Sequence, residues 1–400
     1  MKTVLLLSSV LCLSSSILFA ADYFRTDNPD TDWANLENWA TDETGSTPAE
    51  ALPSAADTIN FGSAAEGTST VFDSDNLTLT RINSSANVSL EFSGINANIS
   101  NRFQLSSSAG DSSNYKTTTL TLSNAASVTT WMFYGTSASY TNLLFNITGN
   151  STFTATSATW NHFQLVQAND TSATLNIEEG SSLLVGANFA VNGTHNLAQR
   201  SKAIVNVYGN LQSNGLYVGD GTNSEGTVNL YGTASCLISA GVELKSASSS
   251  LNFVLKDISE ARVSTVTDGN ADWINDAILQ VSNVGTSGVV FGTLAGTVNV
   301  DLQDFSMGEF VSWNVGETYA ISLISVADES WIFDTSFINI INADKMGSWS
   351  LASENRDEYL KWDGTTLNLY VTAVPEPSAY AMLFGVFALG FAFHRKTKRN

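Results

Sequence analysis

Four hundred residues suffice for one large β domain or two ordinary ones, and only 14% are charged, against roughly 25% in a typical soluble domain. Ser, Thr, Asn and Gly fill the difference, which favours many short strands and turns over helices, because Thr suits a pleated surface and Asn, Gly and Ser end elements. Between residues 22 and 373, twelve Lys and Arg face 37 Asp and Glu; this net charge of −25 repels nucleic acid and anionic lipid and argues against both as partners of the body.

The chain opens on the basic start Met1-Lys2-Thr3, and an apolar run from Val4 to Ala20 follows, softened by Ser14, Ser15 and Ser16. Leu18-Phe19-Ala20-Ala21 then offers small residues before the polar Asp22. This is the layout of a secretory signal peptide over residues 1–21, cut after Ala20 or Ala21, and the serines argue against a first transmembrane helix. Cleavage would remove Cys12 and leave Cys236 as the single mature cysteine, so no intramolecular disulfide is expected. Cys236 sits in an apolar segment, where a small buried side chain is its expected role.

Residues 22–76 read as an N-terminal cap. Trp33 and Trp39 flank Ala34-Asn35-Leu36-Glu37-Asn38, and Pro53 and Asp57-Thr58-Ile59-Asn60-Phe61 follow. Two tryptophans six apart, with Ile59 and Phe61 alternating, suit a buried cover over the end of a strand stack. This W…NW…P…D pattern resembles the opening of secreted bacterial β-helix proteins with autotransporter-like repeats.

Residues 77–300 carry short alternating segments separated by Gly, Asn or Ser turns. They include Leu77-Thr78-Leu79, Val88-Ser89-Leu90-Glu91-Phe92, Leu120-Thr121-Leu122, Phe145-Asn146-Ile147, Leu175-Asn176-Ile177, Val205-Asn206-Val207, Val228-Asn229-Leu230 and Val298-Asn299-Val300. Period-2 alternation makes each a strand with its apolar face inward. Ile147, Ile177, Val207 and Leu230 are 30, 30 and 23 residues apart, spacings that suit the coils of a solenoid. The expected fold is all-β: a right-handed parallel β-helix over 77–300, with tandem β-sandwiches as the alternative the pattern leaves open.

From 301 to 373 the segments become longer and more aromatic, as in Tyr319-Ala320-Ile321-Ser322-Leu323-Ile324 and Leu367-Asn368-Leu369-Tyr370-Val371. This stretch reads as a C-terminal β cap, because an open last coil would present unpaired strand edges.

The segment 374–400 has three parts. Val374-Pro375-Glu376-Pro377 is followed by fifteen uncharged residues, 379–393, and then by His394-Arg395-Lys396-Thr397-Lys398-Arg399. A helix over 378–394 would cross a membrane once: its apolar part spans roughly 22 Å at about 1.5 Å per residue, and snorkelling side chains extend it toward the roughly 30 Å core. The basic stop of Arg395, Lys396, Lys398 and Arg399 holds that end in the cytoplasm and the body outside. This arrangement resembles the PEP-CTERM sorting signal of Gram-negative bacteria. The resemblance implies recognition by an exosortase-type processing enzyme, cleavage at or near Pro375-Glu376-Pro377, and passage from the inner membrane to the cell envelope or extracellular matrix.

No catalytic set stands out. His162 and His195 lack the spacing of metal ligands, and neither a G-x-S-x-G turn nor a phosphate-binding glycine loop occurs. No catalytic residue, cofactor or resident metal is expected. Calcium is the one cation that the oxygen-rich turns at 27–32 and 220–226 suggest, and both lack the full spacing of a calcium loop. Three roles fit: a structural surface protein, expected first; an adhesin that binds extracellular polysaccharide through Trp131, Trp160 or Tyr217; and a polysaccharide lyase or glycosidase on a β-helix, whose carboxylate pair the sequence does not single out.

Overall fold

The computed structural model describes residues 20–74, 77–159, 163–192, 199–220, 223–267, 270–271, 276–283, 289–309 and 313–374. The hydrophobic part of the expected signal peptide lies outside the described residues. Among those described, no helix is long and apolar enough to cross a membrane.

The alternation read from the sequence becomes a buried face and a solvent face. In the strand Ser172–Ile177, Ala173, Leu175 and Ile177 are buried while Ser172, Thr174 and Asn176 are half-exposed. That strand lies parallel and in register between Thr141–Ile147 and Lys202–Val207. The same ladder continues through Glu225–Tyr231, Ser250–Val254 and Thr297–Asp301. A parallel pair needs a crossover, and here each crossover is built from two further strands. One set stacks Thr152–Ala155, Ser182–Val185, Asn210–Ser213, Ser235–Ile238 and Leu279–Val281. The other stacks Phe163–Val166, Phe189–Asn192, Leu216–Val218, Val242–Leu244 and Phe291–Leu294. Three ladders of parallel strands thus surround one core in a β-helix-like arrangement. Tandem sandwiches would pack antiparallel sheets face to face, and these ladders are parallel.

The stacking runs across both expected cap borders. Thr58–Phe61 pairs in parallel with Leu77–Ser84, and Ser69–Phe72 with Val88–Ser93. At the other end Ile338–Ile341 pairs in parallel with Thr297–Asp301, and Leu279–Val281 with Thr318–Val326. Coil length hides these members from a sequence reading, because loops of unequal size separate them from the regular repeats. Antiparallel pairing appears where Val263–Thr267 meets Thr318–Val326, and at the two ends. Asp22–Arg25 meets Trp39–Ala40 at the start, and Thr366–Ala373 pairs with Thr318–Val326, Trp349–Leu351 and Leu360–Asp363 at the end.

The core is one continuous apolar column. Trp33 and Trp39 are buried, with ring centroids 6.2 Å apart, and they rest on Phe72 and Phe61. Phe92, Phe103, Phe133, Phe145, Phe153, Phe163 and Phe189 carry the aromatic packing onward. At one coil corner Gly180 has φ of +79°, and a Cβ there would lie 2.1 Å from Asn150 Oδ1, so only glycine fits without movement. Cys236 is fully buried, and burial pushes its thiol up to about 12, which keeps it protonated and unreactive.

Candidate functional site

Two grooves and a row of amides distinguish the outer faces of the coils. The row runs along the ten-stranded parallel ladder that contains Ser172–Ile177. Asn176 Nδ2 donates to Asn146 Oδ1 at 2.8 Å, Asn206 to Asn176 at 2.8 Å, and Asn229 to Asn206 at 2.8 Å. Asn252 donates to Asn229 at 2.8 Å, Asn299 to Asn252 at 2.8 Å, and Asn339 to Asn299 at 3.1 Å. All donate in one direction, so the amide dipoles align and each bond polarises the next. Asn206→Ala removes one donor and one acceptor from the middle of this chain. The expected loss is about 1–2 kcal/mol, since water repairs part of the damage at a half-exposed face, and it is read as a lower urea midpoint at unchanged m-value.

The first groove lies beside this row. Tyr208, just after the strand Lys202–Val207, and Tyr231, at the end of the next strand, stack with centroids 3.8 Å apart and ring planes within 15°. Burial, followed by the Tyr231 hydroxyl, holds the Tyr208 phenol well above its ordinary value, so it is neutral at any physiological pH. Val254 follows Tyr231 in register and Asp301 follows Val254. The small Val254 side chain leaves a groove of about 400 Å³, lined also by Glu179, Lys256, Asp257 and Asp304. Asp301 Oδ1 accepts from Asn342 Nδ2 at 2.7 Å and from the Gln303 N–H at 3.0 Å, which fixes its carboxylate in place.

The second groove, of about 300 Å³, lies at the N-terminal coils. Asn60, Asn83 and Gln104 fall in register on three successive strands, and Asn83 Nδ2 donates to Asn60 Oδ1 at 3.0 Å. Arg81, Ser85, Ser107, Phe24 and Glu43 line the same groove. Arg102 follows Arg81 in register; its Nη1 donates to Gln104 Oε1 at 3.0 Å and its guanidinium lies 5.6 Å from the Tyr134 ring centre. The Nε of both arginines is buried without a hydrogen-bond partner. Sequence reasoning missed both grooves, because each is made by residues from different coils.

The residues singled out from the sequence are scattered by comparison. Val374 is half-buried and its N–H donates to Ser348 O at 2.9 Å. Pro375, Glu376, Pro377, the expected helix over 378–394, and Arg395, Lys396, Lys398 and Arg399 lie outside the described residues, as do Trp160, His162 and His195. Trp131 is 41% exposed. Tyr217 is half-buried beneath Lys245, whose Nζ lies 4.8 Å from the ring centre and 3.2 Å from Asp220 Oδ2. Tyr217 is in register with Ala190, Gln164 and Tyr134, of which Ala190 and Gln164 are buried, so Trp131 and Tyr217 do not form one aromatic row. In the turn at 27–32, Asp30 accepts from Asp32 N–H and Asn35 Nδ2, and Asp32 accepts from Ala34 N–H, the bonding of Asx turns. Among the described residues no group of three or more His, Cys, Asp and Glu is placed to hold a metal ion. In comparisons with known proteins, no family model, no curated protein and no solved structure matches the chain.

Proposed function

We propose that this is an exported cell-surface or extracellular-matrix protein of a Gram-negative bacterium, sorted through a PEP-CTERM-type signal by an exosortase. Its body serves as a structural element without catalytic activity, and its coils wind right-handed, as parallel crossovers do in nearly every sheet. One observation carries the sorting: Val374-Pro375-Glu376-Pro377, an uncharged stretch over 379–393 and the cations Arg395, Lys396, Lys398 and Arg399 stand in the order such a signal requires. The apolar leader before Asp22 supports export, since a sorting signal needs a chain already crossing the membrane. Support for the structural role comes from the continuous parallel ladders, the aligned amide row, and a body charge of −25 that keeps a crowded surface layer soluble.

The test is to replace Pro375, Glu376 and Pro377 by alanine in the full chain and express it beside an exosortase. The unaltered chain is expected in the envelope or medium as a species shortened by its tail, while the variant stays full-length in the inner membrane. Identical processing and distribution of the two would defeat the sorting reading.

A further inference from the structure

We infer that the groove at Arg81 is a binding site for a carboxylate-bearing polysaccharide. The inference is independent of the sorting tail. Arg81 lines the groove, and among the described residues its guanidinium makes no hydrogen bond and no ion pair. Glu43 lines the groove as well, yet forms no ion pair with it. In a body where acids outnumber bases three to one, a half-buried cation left unpaired is anomalous. The Nε is buried, so the groove is met by the terminal Nη1 and Nη2, and an oxyanion that accepts from both in parallel pairs this cation best.

The backbone places this cation deliberately. The ladder between Leu77–Ser84 and Asn96–Gln104 shifts register between Leu79 and Arg81, and the next ladder shifts between Ile99 and Arg102. Thr80 and Arg81 therefore both face outward, as do Asn101 and Arg102, where strict alternation would bury one of each pair. Bulges of this kind re-aim side chains beside functional sites. They bring Arg81 and Arg102 into register on neighbouring strands; Arg102 is held by Gln104 and Tyr134, and Arg81 is left facing the groove. The net charge of the body is screened beyond about 8 Å at physiological salt, so the charges that line the groove, Arg81 and Glu43, decide where an anion docks, at the Arg81 end.

The other lining groups choose the scaffold that carries the anion. Asn60, Asn83 and Gln104 each offer donors and an acceptor, and Ser85 and Ser107 add hydroxyls. Such a set matches the hydroxyls of a sugar, and Phe24 supplies an apolar surface for a ring face. At about 300 Å³ the groove exceeds the needs of a lone oxyanion. Its ligand is thus a uronate unit within a longer chain.

The experiment is affinity electrophoresis of the purified full chain in native gels that hold polygalacturonate, dextran or no polymer. Retardation by polygalacturonate alone is expected, with weaker retention at high salt. Arg81→Gln is expected to weaken it about tenfold or more while changing the melting temperature little, because no hydrogen bond or ion pair is lost and the glutamine keeps most of the packed stem. Arg81→Lys keeps the charge without the bidentate geometry and is expected to fall between the two. Equal retention of Arg81→Gln and the unaltered chain would overturn the inference, as would equal retardation by dextran. A rise in melting temperature with inorganic phosphate that depends on Arg81, without any polygalacturonate retardation, would also overturn it in favour of a small free anion.

Discussion

Replacing Phe133 by alanine is expected to lower the unfolding free energy by about 3–5 kcal/mol, the usual range for deleting a fully buried aromatic ring. Phe133 has no solvent exposure. Its ring centroid lies 5.9 Å from Phe103, 5.4 Å from Phe145, 5.3 Å from Phe153 and 5.0 Å from Phe163. These partners belong to neighbouring coils and to all three ladders. The ring is a point where successive turns lock together, and its loss opens a cavity that rigid strands on three sides do not collapse to fill. Phe133→Leu keeps most of the volume and is expected to cost less than half as much. Urea unfolding followed by tryptophan fluorescence gives both values. Because each coil touches only its neighbours, hydrogen exchange should accelerate most between about residues 92 and 192. A midpoint shift equal to that of an exposed substitution would contradict this placement of Phe133.

The second large effect is expected at Arg25. Arg25→Met should destabilise the first coil by about 3 kcal/mol, through acceptors left unsatisfied rather than through lost volume. Arg25 is wholly buried, and burial lowers its pKa against the opposing pull of Asp30 and Asp27. Its Nε donates to Thr70 Oγ1 at 3.1 Å, Nη1 to Thr26 O at 3.0 Å, and Nη2 to Asn28 O at 2.9 Å and Asp30 O at 2.5 Å. One guanidinium therefore ties the loop 26–30 to the first strands of the stack. Methionine fills the space but donates nothing, so the carbonyls face an apolar side chain. The readout is hydrogen exchange: protection over residues 22–84 should fall while that over 141–254 is retained. Uniform loss along the chain would show that the first coil is not a separate cooperative unit.

How much of this was legible in the sequence differs from element to element. The residues Ile147, Ile177, Val207 and Leu230 were spaced as coils, and the structure aligns them in one register. Each belongs to an apolar-Asn-apolar triplet whose asparagine joins the amide row. Two members of that row, Asn252 and Asn299, are separated by 47 residues, and a further one, Asn339, lies 40 residues on. Local pattern does not connect residues across insertions of that size. The tryptophans at 33 and 39 were legible as a buried cover, because large aromatics near a chain start gain little from solvent. Arg81 and Arg102 carried no signal, since nothing in their flanking residues reveals a bulge or a neighbour 21 residues away.

By itself, then, the sequence determined what is periodic and local. Alternating Val, Leu, Ile and Phe with Thr, Ser and Asn dictates short strands with one buried face, and the Gly and Asn between them dictate turns. Only the tertiary structure decided which outward side chains share a column. Coil length varies, and a change in the length of one loop, or one extra residue in a strand, moves every later side chain relative to its neighbours. The stacked pair Tyr208 and Tyr231, the amide row and the unpaired guanidinium of Arg81 are all consequences of that register, set by the closure of the three ladders around a single core.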